Sequence, residues 1–125
     1  RYKDFGCFAA RMDDVANYIP ARLTSFLMVI SIFRFSLLRF VRKYGRCHAS
    51  PNSGYPEAAL AGILDCRFGG THDYFGEAVY KPYIGSNPKL HTNSDLRISL
   101  RVCLQAELLM LILCFLLRTY ILFYI

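Results

Sequence analysis

The sequence predicts an all-α chain, a polytopic integral-membrane helical bundle whose helices are joined by polar loops. Three observations carry this expectation. Hydrophobic residues fill 54% of the 125 positions and mean hydropathy is +0.28, high for a water-soluble domain. Charged residues nevertheless make up 19%, and they are segregated from the apolar blocks, as in membrane helices joined by polar loops. The last block, LLMLILCFLLRTYILFYI at 108–125, reaches about 27 Å as a helix, close to the thickness of a hydrocarbon core.

Residues 1–22 read as one polar-to-amphipathic helix that stops near Pro20, because Ile19 before it is disfavoured in helical conformation. The next run, LTSFLMVISIF at 23–33, would span about 16 Å, roughly half of a hydrocarbon core. Extending it to Leu38 takes in Arg34, so 23–38 is a membrane-segment candidate that is short, tilted or re-entrant. Pro51, Asn52, Ser53 and Gly54 supply turn chemistry. A helix follows in which Pro56 suits the first position and Glu57 complements the positive end of the dipole. Ala58 and Gly62 have the spacing of a close helix contact. Residues 66–95 read as a glycine-punctuated polar loop with Tyr74, Tyr80 and Tyr83 interleaved. Thr92 and Asp95 then form a T-x-x-D helix start. That helix begins amphipathic and becomes the second membrane candidate, 108–125, interrupted only by Arg118, whose long side chain can snorkel.

The net charge of +6 does not point to nucleic acid. Its one local cluster, Arg34, Arg39, Arg42, Lys43 and Arg46, abuts an apolar run, which fits positive-inside topology and places the following segment in the cytoplasm. The five cysteines are odd in number and lack CxxC spacing, so they read as reduced thiols packed as small hydrophobes. The first methionine, Met12, lies well inside the chain, and no secretory signal pattern precedes it. The chain is therefore expected to be a fragment that lacks an N-terminal portion.

Three constellations carry chemistry. In DDVANYIPAR, helical spacing puts Asp13, Asp14 and Asn17 on one side. Two carboxylates and an amide are oxygen ligands of the kind Mg²⁺ accepts beside substrate phosphates, and Arg22 offers a bidentate phosphate clamp. An exposed acidic turn paired with Arg11 satisfies the same residues. In SPNSGYPEAA a turn leads into a helix start that favours an anion, with Asn52, Ser53 and Gly54 placed to orient a ligand and Glu57 to act as a base. An ordinary helix start explains those residues equally well. The third, FGG…YFG…KPYIG, has Gly69 and Gly70 where a backbone approaches phosphate closely and Tyr74 as an anchor, but no Walker spacing. His48, His72 and His91 show no metal-ligand spacing, and no nucleophile elbow supports hydrolase chemistry.

Taken in order, DDVANYIPARLT, SPNSGYPEAALAGIL, FGG…YFG…KPYIG and a T-x-x-D helix with a hydrophobic tail resemble the C-terminal half of the CobD/CbiB family. The resemblance covers almost all of the chain, 1–125, as the C-terminal part of one membrane domain. It implies a multi-pass protein of the cell (inner) membrane in the cobalamin (vitamin B12) pathway. The activity it implies is an ATP-dependent amide ligation of adenosylcobyric acid, the corrinoid substrate, with (R)-1-amino-2-propanol phosphate or ethanolamine phosphate. The motifs carry over onto Asp13, Asp14, Asn17, Arg22, Asn52, Gly54, Glu57, Gly69, Gly70 and Tyr74. Roles come from residue chemistry: Asp13, Asp14 and Glu57 catalytic, with Asp13 and Asp14 holding Mg²⁺ on ATP, and Asn17, Arg22, Asn52, Ser53, Gly54, Gly69, Gly70 and Tyr74 binding substrate or phosphate. Arg34, Arg118 and a short stretch between Arg22 and Ser50 depart from the expected pattern. An AmpE-like accessory protein of the same fold is the rival reading. A full crossing at 23–38 would put the first two motifs on opposite sides of the membrane, whereas a re-entrant segment would keep them together.

Overall fold

A computed structural model describes residues 3–48 and 50–124. Five helices and one β-hairpin follow in the order α1 (Lys3–Ala16), α2 (Tyr18–Ser31), α3 (Leu37–Tyr44), α4 (Gly54–Leu64), β1 (Phe68–Tyr74), β2 (Glu77–Ile84) and α5 (Asn93–Tyr124). The chain is thus mostly helical, but not all-α.

The expected single helix ending near Pro20 is two helices that meet at Asn17. Proline has no N–H to donate to the carbonyl four residues earlier, and its ring crowds that carbonyl. For Pro20 that carbonyl belongs to Ala16, the last residue of α1. The break therefore falls a turn before the proline, which sits in the first turn of α2, where it is tolerated. Residues 23–38 likewise do not form one span. Helix α2 ends at Ser31, Phe33 takes a left-handed φ of 55°, and α3 doubles back from Leu37. Two serine hydroxyls turn onto the α2 backbone, Ser25 to Arg22 O and Ser31 to Met28 O, each at 2.8 Å, a bonding pattern that loosens a helix.

Helix α4 is the centre of the packing, against α2, α3 and the base of the hairpin. Its small-residue face behaves as the spacing predicts: Ala58, Ala59 and Ala61 are fully buried. A Cβ on Gly62 would lie 3.1 Å from both Leu37 Cδ2 and Phe40 Cδ1. Leu27, Met28, Val29, Leu37, Val41, Val102 and Ala106 complete the main apolar core.

Residues 68–84, read from sequence as loop, are an antiparallel hairpin with Tyr74 paired to Glu77 across Phe75-Gly76. Both turn residues have positive φ, 56° and 87°, the requirement of a two-residue turn that matches strand twist. Most of the hairpin is exposed on both faces, so no alternation of apolar and polar residues marks it in the sequence.

Helix α5 starts where T-x-x-D predicts. The Thr92 N–H and hydroxyl both donate to Asp95 Oδ2, at 2.9 and 2.8 Å, and the Asp95 N–H returns to Thr92 Oγ1 at 3.3 Å. Lys89 Nζ donates to Asp95 Oδ1 at 2.7 Å and to Leu64 O at 2.9 Å. One ammonium thereby joins the negative end of α4 to the capping carboxylate of α5. Lys89 first, and the Thr92 donors next, hold the Asp95 carboxyl down from its ordinary 3.8 to about 2. A depressed carboxylate stabilises the fold above its unfolded pKa, and that contribution disappears as pH falls through about 2. Asp95→Asn should remove this contribution at neutral pH and flatten the acid limb of a stability–pH curve below pH 4. An unchanged acid limb would show that the contact carries no stability.

Along α5 the buried residues are Asp95, Val102 and Ala106, one stripe at helical spacing that packs on α2. Beyond Met110 the helix leaves the body, with Leu111, Ile112, Phe115, Leu116, Leu117, Ile121, Leu122 and Phe123 exposed. By length and composition, this 32-residue helix is able to cross a membrane. Ile125, the end of the 108–125 candidate, lies outside the described residues.

Candidate active site

Because α2 and α3 double back, the first two motifs face each other on one side. Asn52 is the tie. It is buried at 5% exposure; its Nδ2 donates to the Asp14 carbonyl at 2.8 Å, and its Oδ1 accepts from Arg22 Nη1 at 3.3 Å. Arg22 also donates to Tyr18 O at 2.6 Å and packs over the rings of Tyr18 and Tyr55, 3.4 and 4.2 Å from their centroids. Arg46 hydrogen-bonds the Tyr55 hydroxyl and lowers its pKa. Arg22, expected as a phosphate clamp, here bridges α2, Tyr55 and Asn52.

Between the motifs lies a cleft of about 330 Å³, lined by Asp13, Asn17 and Thr24 on one wall and Ser50, Asn52 and Ser53 on the other. Asn17 Nδ2 donates to Asp13 Oδ1 at 2.8 Å, which orients the carboxylate. Asp14 does not line this cleft and enters the arrangement through its backbone carbonyl. Neighbours in a helix point about 100° apart, so adjacent aspartates do not share a target. Among the described residues no three His, Cys, Asp or Glu side chains form a metal-binding group. The donor set still fits a Mg²⁺ ion held by one carboxylate, waters and substrate phosphates.

Ser53 does not cap α4 with its side chain; its hydroxyl lies 2.7 Å from His48 Nδ1. The Ser50 N–H donates to that same nitrogen at 3.0 Å, so Nδ1 carries a lone pair and the proton of the neutral ring sits on Nε2. Nε2 is 3.7 Å from Glu57 Oε1. His48 and Glu57 open onto a second cavity of about 360 Å³, closed by the hairpin with His72 and Lys81. Glu57 therefore stands apart from the Asp13 cleft, and the two cavities meet at the Ser53–His48 contact.

At each glycine assigned to ligand approach, the space a Cβ would take is filled by the fold. Gly54 is buried, and a Cβ there would lie 2.5 Å from the Gly45 carbonyl oxygen. Gly69 sits at an irregularity in strand pairing with φ +98°, and a Cβ would run into the Pro82 carbonyl; a Cβ on Gly70 would meet the Tyr83 ring at 3.1 Å. Gly69 does line the second cavity. The Tyr74 side chain lies outside the described residues. His48, His72 and Lys81 had no sequence signal, since their meeting depends on the α3–α4 loop and on strand pairing. The one local hint was the i,i+4 spacing of Ser53 and Glu57.

Residues 1–103 match the family model described as CobD/Cbib protein. The chain is 52% identical over 100 residues to the cobalamin biosynthesis protein CobD of Clostridium perfringens, covering 76% of this chain and 32% of that protein. It is 40% identical over 115 residues to the protein of that name from Listeria monocytogenes, covering 86% and 36%. Against that from Geobacter metallireducens it is 45% identical over 118 residues, covering 90% and 37%. The chain thus spans about a third of the length of these curated relatives. No solved structure matches it.

Proposed function

The chain belongs to the CobD/CbiB family, and from that premise we propose that it forms part of a membrane enzyme of cobalamin biosynthesis. The reaction is an amide ligation between adenosylcobyric acid and (R)-1-amino-2-propanol phosphate or ethanolamine phosphate. The corrinoid carboxylate attacks the terminal phosphorus of ATP and releases ADP; the amine then attacks the resulting acyl phosphate, and phosphate leaves with the electrons of the C–O bond. One observation carries this reading: Asn52 draws DDVAN and SPNSG into a single polar cleft with Asp13 at its wall. Asp13, Asn17, Asn52 and Ser53 are the residues that would receive the nucleotide phosphates. Mg²⁺ on Asp13 would neutralise charge on those phosphates. The apolar length of α5 beyond Met110 supports a bilayer as partner, alongside other membrane helices of the same protein. The exposed Phe33 at the α2–α3 turn lies beside Leu108 and Ile112, where the apolar stretch begins. The basic residues of α3 support a cytoplasmic placement of the cleft.

The two aspartates separate the side-chain role from the backbone one. In the full-length protein Asp13→Asn should lower cobinamide phosphate synthesis on the order of a thousandfold, as loss of several kcal/mol of charge stabilisation requires. Asp14→Asn keeps its carbonyl and should retain most activity. The reverse ranking, or full activity in Asp13→Asn, would overturn the assignment of the cleft.

A further inference from the structure

The cavity under the hairpin is not explained by a nucleotide in the Asp13 cleft. Its polar lining is one carboxylate, Glu57, facing three nitrogen side chains, His48, His72 and Lys81, over an apolar floor that includes Leu60 and Phe68. At about 360 Å³ it has the size of a small-molecule site. We propose that this cavity is the subsite for a small phosphorylated primary amine, with Lys81 and His72 taking the phosphate, Glu57 the ammonium, and His48 positioning Glu57.

The hairpin builds the anionic half. Gly70 pairs with Lys81 and His72 with Val79, so His72 and Lys81 are diagonal neighbours on one face, within reach of one multivalent anion. The helix and its preceding loop build the cationic half. The Ser50 N–H fixes the His48 proton on Nε2, the atom that faces Glu57. At 3.7 Å from Nε2 the Glu57 carboxylate lies beyond hydrogen-bond distance of the ring, which leaves its oxygens open to an ammonium group. The opposed charges of the lining match a zwitterion, phosphate at one end and amine at the other. The apolar floor suits the short carbon link between them.

The position of the cavity fits the chemistry. It meets the Asp13 cleft through the 2.7 Å Ser53–His48 contact, so an amine on Glu57 lies beside the wall of the cleft where the acyl phosphate would form. One ammonium proton passes to the Glu57 carboxylate, the freed nitrogen lone pair bonds to the acyl carbon, and the C–O bond to phosphate breaks. The second proton lost from nitrogen leaves with the departing phosphate. This assignment rests on the ligation proposed above, in which an amine is the nucleophile.

The experiment is calorimetric binding of ethanolamine phosphate, ethanolamine and inorganic phosphate to the full-length protein, followed by amide-forming kinetics. Wild type should bind ethanolamine phosphate more tightly than either half. Lys81→Met and His72→Asn should each weaken ethanolamine phosphate at least about tenfold, the scale of a hydrogen bond to a charged group, and leave ethanolamine unchanged. Lys81→Arg should restore most of the loss. His48→Gln should lower kcat more than it raises KM for ethanolamine phosphate, because it disturbs Glu57 without touching the phosphate end. Equal affinity for ethanolamine phosphate in wild type, Lys81→Met and His72→Asn would overturn the subsite. Binding that follows the prediction without amide formation by wild type would instead overturn the ligation and keep the subsite as a binding site.

Discussion

Asn52→Leu in the full-length protein is expected to abolish amide synthesis while leaving the chain able to insert. Leucine matches asparagine in shape but neither donates nor accepts. The substitution strands the Asp14 carbonyl, which receives Nδ2 at 2.8 Å, and takes from Arg22 Nη1 its 3.3 Å acceptor Oδ1, leaving that nitrogen only Tyr18 O at 2.6 Å. Leaving a buried polar group unmatched costs about 1–3 kcal/mol. The larger effect is geometric. Asn52 is the side chain that ties the end of α1 to the entry of α4, and α1 otherwise packs chiefly on α2. Without it Asp13 is free to drift from Ser50 and Ser53, and a displacement of about 1 Å in a site of this kind costs about a hundredfold in rate. Asn52→Asp keeps the acceptor for Arg22 and loses the donor to Asp14, so its rate should fall between the two. Initial rates of cobinamide phosphate formation with a thermal unfolding curve read both effects. Wild-type rates in Asn52→Leu would show that the tie between the motifs is dispensable.

Gly54→Ala should be the most damaging single-methyl change in the second motif. A Cβ at Gly54 lies 2.5 Å from the Gly45 carbonyl oxygen and 3.0 Å from His48 Cβ. The first neighbour is backbone and cannot swing aside, so α4 must separate from the end of α3, at a cost of about 1–3 kcal/mol. The second carries the effect into function, because moving His48 disturbs both Ser53 and Glu57. Gly76→Ala is the control. Gly76 has φ +87° but open space around its Cβ, so it meets only the left-handed backbone cost of about 1–2 kcal/mol, far from both cavities. Thermal melts and synthesis rates of the two variants should therefore diverge in activity more than in stability. Equal losses of activity would show that the close packing of Gly54 on Gly45 and His48 has no particular reach into the site.

Local chemistry was legible where it is self-contained. T-x-x-D specified the start of α5 because Thr92 and Asp95 satisfy each other's hydrogen bonds within one turn. The Ala58 and Gly62 spacing specified a close helix contact because small residues admit a neighbouring backbone regardless of which helix supplies it. Pro20 was read correctly as an interruption but placed a turn late, since the carbonyl it leaves unsatisfied belongs to Ala16. The hairpin escaped because its side chains are exposed on both faces and no buried face imposes a period of two.

From sequence alone, the apolar character of the chain, its predominantly helical composition and its family were determined, because each resides in local pattern and in motif identity. Which of the candidate site residues lie together was decided by the tertiary structure. The chain reversal at Ile32–Ser36 brings Asn52 onto Asp14 and Arg22 and gives Arg22 a structural task. The same packing buries Gly54 against the Gly45 carbonyl. Strand pairing then sets His72 and Lys81 opposite Glu57 and separates that carboxylate from Asp13. Contacts across such distances along the chain depend on how helices and strands close on one another, and no periodicity within a single element encodes them.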